Sequence, residues 1–336
     1  MSEGLYVVTG ATGWLGRRVV RALRQADRRA RILAAPGEEA ADLEALGAEL
    51  VRGDIRDPAT AKTLLAGADG ATVLHLAGII HPSSVKDFMA VNFGGVRHVV
   101  EQAAGARRVV VMSSNSPIGA SRNPHEVFDE DSPYHPYMGY GRSKYAMEQW
   151  LRARIAAGVA PEITIIRAPW FYGPEQPARQ TRFFTMIKDG KFPLMGRGEN
   201  RRSLGYVDSL AEGILLAAEA PIAAGRIYWL ADARPYPMHE IVATVREVLR
   251  DDFGFKVKSD TVHAPAIISD VARLADRTLQ GAGLYNQQIH VLSEMNLTIA
   301  CSIARAQREL GYQPLTELRE GMRRSVAWVL EHGGKI

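Results

Sequence analysis

Residues 5–20, LYVVTGATGWLGRRVV, decide the fold of this chain. Residues 5–9 form a short apolar and β-branched run, which predicts a strand that is buried on both faces of a parallel sheet. Gly10, Gly13 and Gly16 follow at intervals of three, and the apolar residues after them recur with helical spacing. Such glycines let the backbone approach a pyrophosphate, and the helix N-terminus supplies N–H donors. The stretch predicts a phosphate-binding turn, with a tight turn that binds nothing as the alternative.

Strands and helices alternate through the first half of the chain. After residues 5–9, strands are predicted at residues 31–35, 48–51, 72–76, 108–112 and 163–167. This alternation predicts an α/β fold with a right-handed, doubly wound parallel sheet of the Rossmann type, whose ligands lie at the carboxyl ends of the strands. A smaller, mostly helical C-terminal lobe follows. The predicted domains are a dinucleotide-binding domain at 1–168, onto which 203–232 packs back, and a substrate-binding lobe at 169–336.

The composition is that of an ordinary globular protein. The chain has 336 residues, of which 46% are hydrophobic and 23% are charged, and a formal net charge of +4. The mild basic excess is not concentrated in a tail, so nucleic acid is not predicted as a partner, although a small phosphate-bearing ligand suits it. The single cysteine, Cys301, permits no internal disulfide, which favours a cytoplasmic location. No apolar stretch reaches the length of a membrane span, and peripheral membrane contact stays open.

The end of the second predicted strand is where a ribose-binding acid normally lies. Ala35 occupies this place and is followed by Pro36 and Gly37, so the sequence offers no carboxylate there for a 2′-hydroxyl and no arginine for a 2′-phosphate. Arg17 and Arg31 are only nearby alternatives. The choice between NAD and NADP therefore stays open.

Two further strand ends carry candidate cofactor contacts. Asp54 follows the third strand and is placed either to cap a turn or to accept a hydrogen bond from an adenine amine. The fourth strand ends in HLAG at residues 75–78, where the small Ala77 and Gly78 let a flat ring approach the edge of the sheet. No histidine pair has metal-like spacing, so no metal site is predicted.

A serine, a tyrosine and a lysine form a candidate catalytic group. Ser114 stands at the end of the fifth strand, and Tyr140 and Lys144 lie four residues apart on a helix that begins near Gly139, so they share one face. Taken alone, Tyr140 and Lys144 are more simply interpreted as a surface tyrosine beside a solvated lysine. Their spacing after Ser114 favours a catalytic role instead. A tyrosine, whose pKa is ordinarily about 10, is a poor base until a positive charge stabilises its anion. Lys144 would supply that charge, and Ser114 would donate to a substrate oxygen.

Ordered motifs recur along nearly the whole chain. They are TGATGWLG at 9–16, GDI at 53–55, HLAG at 75–78, VN at 91–92, SS at 113–114, YGRSK at 140–144, RAPWFYGP at 167–174, YVDSLA at 206–211 and ELGYQP at 309–314. Together they resemble the extended short-chain dehydrogenase/reductase family, also labelled NAD-dependent epimerase/dehydratase. The resemblance implies an oxidoreductase that uses NAD or NADP. It also implies a homodimer with a four-helix interface built from residues 85–104 and the helix that carries Tyr140.

The resemblance further implies roles for individual residues. Ser114, Tyr140 and Lys144 are implied to be catalytic. The implied cofactor contacts are Gly10, Thr12, Gly13, Trp14, Leu15, Gly16, Asp54, Ile55, Leu76, Ala77, Gly78, Tyr140, Lys144, Ala168 and Pro169. Among them, the three glycines would hold the pyrophosphate, Asp54 the adenine and Lys144 the nicotinamide ribose. Positioned acid and base catalysis of this kind contributes roughly 10²–10⁴ in rate.

The segment after the sixth strand bears on the substrate. Trp170 stands where nucleotide-sugar members of the family usually have an asparagine that helps to hold the diphosphate. With Phe171 and Phe183 it is suited to line a pocket for a flat hydrophobic molecule. Residues 256–297 also resemble the 3β-hydroxysteroid and sterol dehydrogenase branch of the family.

Two arginines favour a different substrate class. Arg202 precedes YVDS, where nucleotide-sugar enzymes place a phosphate-binding arginine, and Arg182 is a second candidate. The leading hypothesis is hydride transfer at a secondary alcohol or ketone of a hydrophobic, steroid- or sterol-like ring, with decarboxylation where a carboxylate lies β to the new ketone. The alternatives are a nucleotide-sugar epimerase or dehydratase and a non-catalytic protein that senses NAD(P).

Overall fold

A parallel sheet of seven strands lies at the centre of the molecule. The computed structural model describes residues 4–259 and 262–336. In chain order its strands are β1 (Leu5–Thr9), β2 (Arg29–Ala34), β3 (Glu49–Arg52), β4 (Thr72–His75), β5 (Arg108–Ser114), β6 (Glu162–Ala168), β7 (Trp170–Tyr172), β8 (Pro193–Met195), β9 (Arg201–Arg202), β10 (Leu204–Tyr206), β11 (Ile227–Trp229), β12 (Tyr236–Pro237) and β13 (Val262–Ala264). The sheet has the order β11-β6-β5-β4-β1-β2-β3, and its neighbouring strands are parallel. This order, which reverses direction at β1, confirms the predicted doubly wound fold.

Helices connect the strands and make up most of the C-terminal region. In chain order they are α1 (Trp14–Gln25), α2 (Ala41–Ala45), α3 (Pro58–Leu64), α4 (Val85–Asp87), α5 (Val96–Gln102), α6 (Met138–Ala156), α7 (Ala178–Lys188), α8 (Val207–Glu219), α9 (Met238–Glu247), α10 (Ile267–Gly281), α11 (Gln287–Glu294), α12 (Ala304–Leu310) and α13 (Leu318–Glu331). Two π-helices, Phe88–Gly95 and Val248–Asp252, and the 3₁₀-helix Pro221–Ala223 lie between them. The helical C-terminal lobe is thus confirmed.

The side chains of β1 alternate between two hydrophobic clusters on opposite faces of the sheet. Tyr6 and Val8 pack in the cluster that contains α1 and α8, whereas Leu5 and Val7 pack in the cluster that contains α3, α5 and α6. A strand covered by helices on both faces needs apolar side chains on both, which explains its uninterrupted apolar run. A third cluster lies in the C-terminal region, where α9 packs against α13.

Residues 85–104, which the resemblance assigns to a helix of the dimer interface, do not form one continuous α-helix. The π-helix Phe88–Gly95 separates α4 from α5. At its end Gly95 packs closely on Ile55, where a Cβ would lie 3.0 Å from Ile55 Cγ1. The wider helix also carries the fully buried Asn92. Wider turns of this kind are frequent at functional sites.

Neither a membrane-spanning helix nor a metal-binding cluster occurs in residues 4–259 and 262–336. No helix in these ranges combines the length and the apolar character needed to cross a bilayer. The same ranges contain no group of three His, Cys, Asp or Glu residues that could hold a metal ion.

Candidate active site

The glycine-rich loop packs tightly between α1 and the end of β4. Gly10 has a φ of +66°, and a Cβ on it would lie 2.6 Å from the Ala77 backbone nitrogen. A Cβ on Gly16 would lie 2.0 Å from the Gly10 carbonyl oxygen. A larger residue at either position would push these elements apart. Helix α1 starts after Gly13 without a side-chain cap, which leaves N–H groups at its N-terminus for an anion such as a pyrophosphate.

The side chains that follow Gly13 pack into the protein. Trp14 Nε1 donates to the Pro174 carbonyl oxygen at 2.6 Å, and the Trp14 ring lies 5.1 Å from the Phe171 ring. Leu15 is buried in the core. The backbones of Trp14 and Leu15, rather than their side chains, are therefore the groups available to a cofactor, and Phe171 is a packing partner of Trp14.

A carboxylate lies at the end of β2, which corrects the expectation drawn from Ala35. The segment from Ala35 to Glu38 forms a turn in which the Glu38 amide donates to the Ala35 carbonyl oxygen at 3.0 Å, with Gly37 at a φ of +82°. Glu38 Oε2 accepts hydrogen bonds from the Ala35 amide at 2.9 Å and from Thr12 Oγ1 at 2.5 Å. The carboxylate thus joins the end of β2 to the glycine-rich loop, where a ribose-binding acid is expected.

Arg17 and Arg31, the arginines that the sequence offers for a 2′-phosphate, are engaged in other contacts. Arg17 donates to the carbonyl oxygens of Thr12 at 3.0 Å and Glu39 at 2.6 Å, and it forms an ion pair with Asp42. Arg31 donates to two carbonyl oxygens at the end of α3, at 3.0 and 2.7 Å. Neither guanidinium is available to a 2′-phosphate unless these contacts break. Arg52, whose Nη1 donates to the Glu38 carbonyl oxygen at 3.0 Å, is a further exposed arginine at this end of the sheet, so the preference for a free 2′-hydroxyl depends on the Glu38 carboxylate.

Asp54 lies after β3, but its carboxylate is already paired with Arg56. Arg56 Nε donates to Oδ1 at 3.0 Å and to Oδ2 at 2.9 Å, and these hydrogen bonds lower the pKa of Asp54. An adenine amine would share the carboxylate with this guanidinium. Ile55 is buried beside it, and Ala168 and Pro169 are buried at the end of β6.

The ends of β4 and β5 and the first turns of α6 bring three predicted catalytic residues together. The Ser114 side chain lies close enough to Tyr140 to lower the pKa of the phenol, while its hydroxyl donates to Asn115 Oδ1 at 3.3 Å. Lys144 is buried, and its Nζ donates to the Met112 carbonyl oxygen on β5 at 2.9 Å. A Cβ on Gly78 would lie 3.4 Å from Lys144 Nζ, so the chain after β4 reaches the same place. All of these groups lie at the carboxyl edge of the sheet.

Burial controls the protonation of the two central groups. It raises the pKa of Tyr140 to about 12, although the hydrogen bond from Ser114 acts in the opposite direction. It lowers the pKa of Lys144 to about 8, while the charge of Glu148 opposes this shift. At neutral pH Tyr140 is therefore a phenol and Lys144 a cation. The sequence predicts that the charge of Lys144 lowers the pKa of Tyr140, but among the groups of the protein itself burial has the larger effect and raises it. The protonated Tyr140 can therefore donate its proton to a substrate oxygen.

Asn92, to which the sequence analysis assigned no role, supports the helix that carries Tyr140. Its Oδ1 accepts from the Ile79 amide at 2.8 Å, and its Nδ2 donates to the Ile79 carbonyl oxygen at 3.0 Å and to Ser143 Oγ at 3.1 Å. Ser143 Oγ in turn donates to the Tyr140 carbonyl oxygen at 2.8 Å. Asn92 therefore joins the chain after β4 to α6. The sequence does contain a sign of this role, because Asn92 is a single amide within the apolar run FMAVNF and a buried amide needs hydrogen-bond partners.

A helical hairpin formed by α10 and α11 covers the N-terminal turn of α6. Gln280 Oε1 on α10 accepts from the Gly139 amide at 2.9 Å. The Tyr137 hydroxyl donates to Asp276 Oδ2 at 3.2 Å, and the same oxygen lies 2.7 Å from His290 Nδ1 on α11. These contacts hold both helices of the α10–α11 hairpin against the catalytic helix.

Aromatic side chains stand beside Tyr140. The Phe88 ring lies 5.9 Å from the Tyr140 ring and 5.7 Å from the ring of Tyr285, which belongs to the turn of the α10–α11 hairpin. The Tyr285 hydroxyl shares a 2.7 Å hydrogen bond with His81 Nδ1. Burial lowers the pKa of His81 to about 4, so this imidazole is neutral at pH 7. The wall next to Tyr140 is therefore aromatic, and the charges of Arg179 and Glu294 act on it from nearby.

Trp170 and Phe183 form a second aromatic group. Trp170 is half-buried, and its Nε1 donates to Gln180 Oε1 at 2.9 Å. Its ring lies 5.3 Å from the Phe183 ring, which lies 5.1 Å from Phe192. Both contacts are edge-to-face, the arrangement that aromatic pairs favour.

Arg202 and Arg182, the candidate phosphate-binding arginines, occupy different environments. Arg202 on β9 is half-buried, and its guanidinium donates to the Glu294 carbonyl oxygen at the end of α11 at 2.6 Å. Burial lowers the pKa of Arg202, while the charge of Glu294 opposes that shift. Arg182 on α7 is exposed. The structure thus ties Arg202 to the α10–α11 hairpin and leaves Arg182 on the surface.

Comparisons with known proteins match most of the chain. The model of the NAD dependent epimerase/dehydratase family matches residues 6–231. Uncharacterized protein y4nL of Sinorhizobium fredii is 52% identical over 99% of this chain and 97% of its own. The 3 beta-hydroxysteroid dehydrogenase/Delta 5→4-isomerase of Mycobacterium tuberculosis is 29% identical over 95% of this chain and 88% of its own. The structure of DesIV, a dTDP-glucose 4,6-dehydratase from Streptomyces venezuelae, superposes with a TM-score of 0.76 at 24% identity, covering 97% of both chains.

Proposed function

The chain belongs to the NAD dependent epimerase/dehydratase family, and from this premise we propose that it transfers hydride at a secondary alcohol or ketone of a hydrophobic ring. Membership confirms the predicted extended short-chain dehydrogenase/reductase family, the enzyme class and a nicotinamide cofactor. The proposed substrate is steroid- or sterol-like. It would lie between a cofactor-binding domain at 1–168 and a substrate lobe at 169–336.

The position of Arg202 carries the substrate proposal. A guanidinium that binds a diphosphate must present its donors to the phosphate oxygens. Arg202 instead donates to the Glu294 carbonyl oxygen at 2.6 Å and links β9 to the α10–α11 hairpin. Turning this donor toward a phosphate would break that link. Nη2 makes this link, so one donor nitrogen of Arg202 is withdrawn from a diphosphate, which supports a substrate without one.

Aromatic packing near Tyr140 supports the same proposal. Phe88 and Tyr285 offer apolar ring surface beside the Tyr140 ring. Trp170 and Phe183 add apolar surface after β6. Flat hydrophobic ligands are bound by such surfaces. The Mycobacterium tuberculosis relative, whose name gives a hydroxysteroid substrate, supports extending this class to the chain.

The proposed chemistry uses the group at the ends of β4 and β5. When bound, the nicotinamide cofactor supplies or accepts the hydride. Tyr140 donates its phenolic proton to the substrate oxygen during reduction and takes it back during oxidation. Ser114 donates a hydrogen bond to the same oxygen, and the Lys144 cation stabilises the phenolate that remains after proton transfer.

A nucleotide-sugar epimerase or dehydratase is the alternative, and cofactor retention separates the two. An epimerase returns the hydride within one turnover, whereas a dehydrogenase exchanges its cofactor at every turnover. After exhaustive desalting we expect the purified protein to be free of nicotinamide, to bind NAD reversibly and to reduce it with a 3β-hydroxysteroid. Near-stoichiometric retained cofactor together with turnover of UDP- or dTDP-sugars would contradict the proposal.

Glu38→Gln is expected to weaken discrimination against NADP by about tenfold or more, which is at least ~1.4 kcal/mol. The carboxylate repels a 2′-phosphate and accepts from a 2′-hydroxyl, whereas the amide keeps the shape and loses the charge. Dissociation constants for NADH and NADPH, measured by fluorescence, give the ratio directly. Glu39→Gln is the matched control, since it removes the same charge from the neighbouring exposed side chain. An unchanged ratio in Glu38→Gln would remove Glu38 from the ribose site.

A homodimer is proposed from the family resemblance. It would use residues 85–104 and α6, where the exposed Met89 offers apolar surface. Sedimentation velocity at micromolar concentration is expected to show a dimer, and a monomer would contradict this interface.

A further inference from the structure

Helix α10 carries large apolar side chains on its outer side. Ile267, Val271 and Leu274 are spaced i, i+4 and i+7, and they are 65%, 63% and 69% exposed. Ile268, next to Ile267, is 41% exposed. These four residues are named the α10 apolar face. We propose that the α10 apolar face docks on the surface of an anionic lipid bilayer.

The packing of α10 makes this outer face unusual. Ser269, Ala272, Asp276 and Gln280 on the inner side are buried, and they carry the contacts to α6 and α11. A surface helix normally turns its apolar stripe inward and its polar stripe outward. In α10 the inner side holds an aspartate and a glutamine, whereas the outer side holds isoleucine, valine and leucine. The outer apolar residues contribute little to folding and are available to a partner.

The charges around the α10 apolar face suit anionic headgroups. Arg277, on the following turn, is exposed. The carboxylate of Asp270 is paired with Arg122 at 2.7 Å, and that arginine side chain is itself 69% exposed. Asp276 is buried. The acids of α10 are thus neutralised or withdrawn, which leaves Arg277 as the cation beside the α10 apolar face. An apolar helix face with an exposed arginine beside it suits the headgroup region of anionic membranes.

Exposed apolar residues elsewhere differ from this face. Ile222, in a 3₁₀-helix, is 48% exposed, and Leu315, in the loop before α13, is 82% exposed. Single residues of this kind are normal on protein surfaces. They therefore serve as matched controls for substitutions in the α10 apolar face.

Helix α10 lies next to the proposed active site, so docking through it would affect access of the substrate. Through Gln280 and Tyr285 the same hairpin contacts Gly139 and Phe88 at the proposed active site. A protein held by its α10 apolar face would place that site next to the lipid phase, where a hydrophobic substrate is dissolved. This consequence for the substrate rests on the proposed function, whereas the docking itself does not.

Vesicle flotation with the full chain tests the docking. We expect binding to phosphatidylcholine vesicles that contain about 30% phosphatidylglycerol, weaker binding to pure phosphatidylcholine, and a loss of binding at high salt. The double variant Val271→Glu, Leu274→Glu is expected to weaken binding by at least about tenfold, and Arg277→Glu by about fivefold. Ile222→Glu and Leu315→Glu are expected to bind like the wild type.

Two kinds of outcome would overturn the docking. The first is a failure of the vesicle result: wild-type protein does not float with anionic vesicles, or the double variant floats as well as the wild type. The other is sedimentation velocity in which the double variant loses self-association that the controls keep, because the face would then be covered by a second copy of the chain. Steroid turnover in vesicle-free buffer is measured in parallel. Turnover without vesicle binding refutes the docking alone, and vesicle binding without turnover refutes the proposed function alone.

Discussion

Tyr140→Phe is expected to lower kcat by about 10²–10⁴ while the protein still folds and binds NADH. The substitution removes only the hydroxyl, which exchanges the proton with the substrate oxygen. The ring contact with Phe88 at 5.9 Å does not depend on that hydroxyl. Steady-state kinetics, NADH titration by fluorescence and thermal unfolding together check the three parts of this expectation.

Tyr145→Phe is the control for this variant. Tyr145 lies on α6 as well, and its ring packs edge-to-face on Tyr134 at 5.1 Å. Removing this hydroxyl is expected to change kcat by less than about twofold, since it lies outside the catalytic group. Near-normal turnover by Tyr140→Phe would refute the assignment. Loss of NADH binding or of the folded state would make Tyr140 a structural residue.

The sheet was predictable because its signals are local. The apolar run of β1 reflects helices on both faces of one strand, and the glycines after it reflect backbone contacts within the loop. A Cβ on Gly16 would lie 2.0 Å from the Gly10 carbonyl oxygen, six residues away in sequence. Tyr140 and Lys144 share one turn of α6, so their common face follows from helical spacing. Where residues close in sequence are also close in space, the sequence pattern is sufficient to predict their arrangement.

Glu38 shows a local signal that the sequence analysis did not use. Its carboxylate returns to the end of β2 because the segment from Ala35 to Glu38 forms a turn with proline second and glycine third. Proline presets its own φ and glycine tolerates a positive φ, which are the requirements of a type II turn. Reading APGE as a turn would have placed the carboxylate. Ala35 itself carries no carboxylate, so the acid is found only when the turn is taken into account.

The surroundings of Tyr140 were beyond the reach of sequence patterns. The hydrogen bond between Gly139 and Gln280 joins residues 141 positions apart, and His81 meets Tyr285 across 204 positions. No periodicity relates such pairs. The contact of Arg202 is of the same kind, because its motif suggests a phosphate contact while its hydrogen-bond partner, the Glu294 carbonyl, lies on α11. Substrate specificity depends on these distant contacts, which explains why the family was easier to predict than the substrate.

Lys144→Met is expected to lower kcat/KM by about 10²-fold or more and to raise the free energy of unfolding by about 2 kcal/mol at pH 7. The buried lysine has its pKa lowered from 10.5 to about 8, which corresponds to about 3 kcal/mol of unfavourable burial of charge. Loss of the hydrogen bond to the Met112 carbonyl oxygen offsets about 1 kcal/mol of the gain. Glu148 keeps its partner, since Arg167 donates to it at 2.7 Å. Gain of stability with loss of turnover would identify Lys144 as a cation held for function.

The stability advantage of Lys144→Met over the wild type is expected to decrease as the pH rises. In the unfolded chain Lys144 keeps its proton up to about pH 10.5, whereas in the folded chain it loses the proton near pH 8. Between these values the unfolded wild type binds more protons, so its stability rises with pH, while the variant has no such group. Urea unfolding should therefore show the advantage of Lys144→Met shrinking by about 2 kcal/mol between pH 7 and about pH 9.5. An advantage that stays constant over this range, or a variant less stable than the wild type at pH 7, would mean that burial does not strain the Lys144 cation. Lys144 would then be a cation at neutral pH without a cost to folding, and only the stability part of this prediction would be refuted.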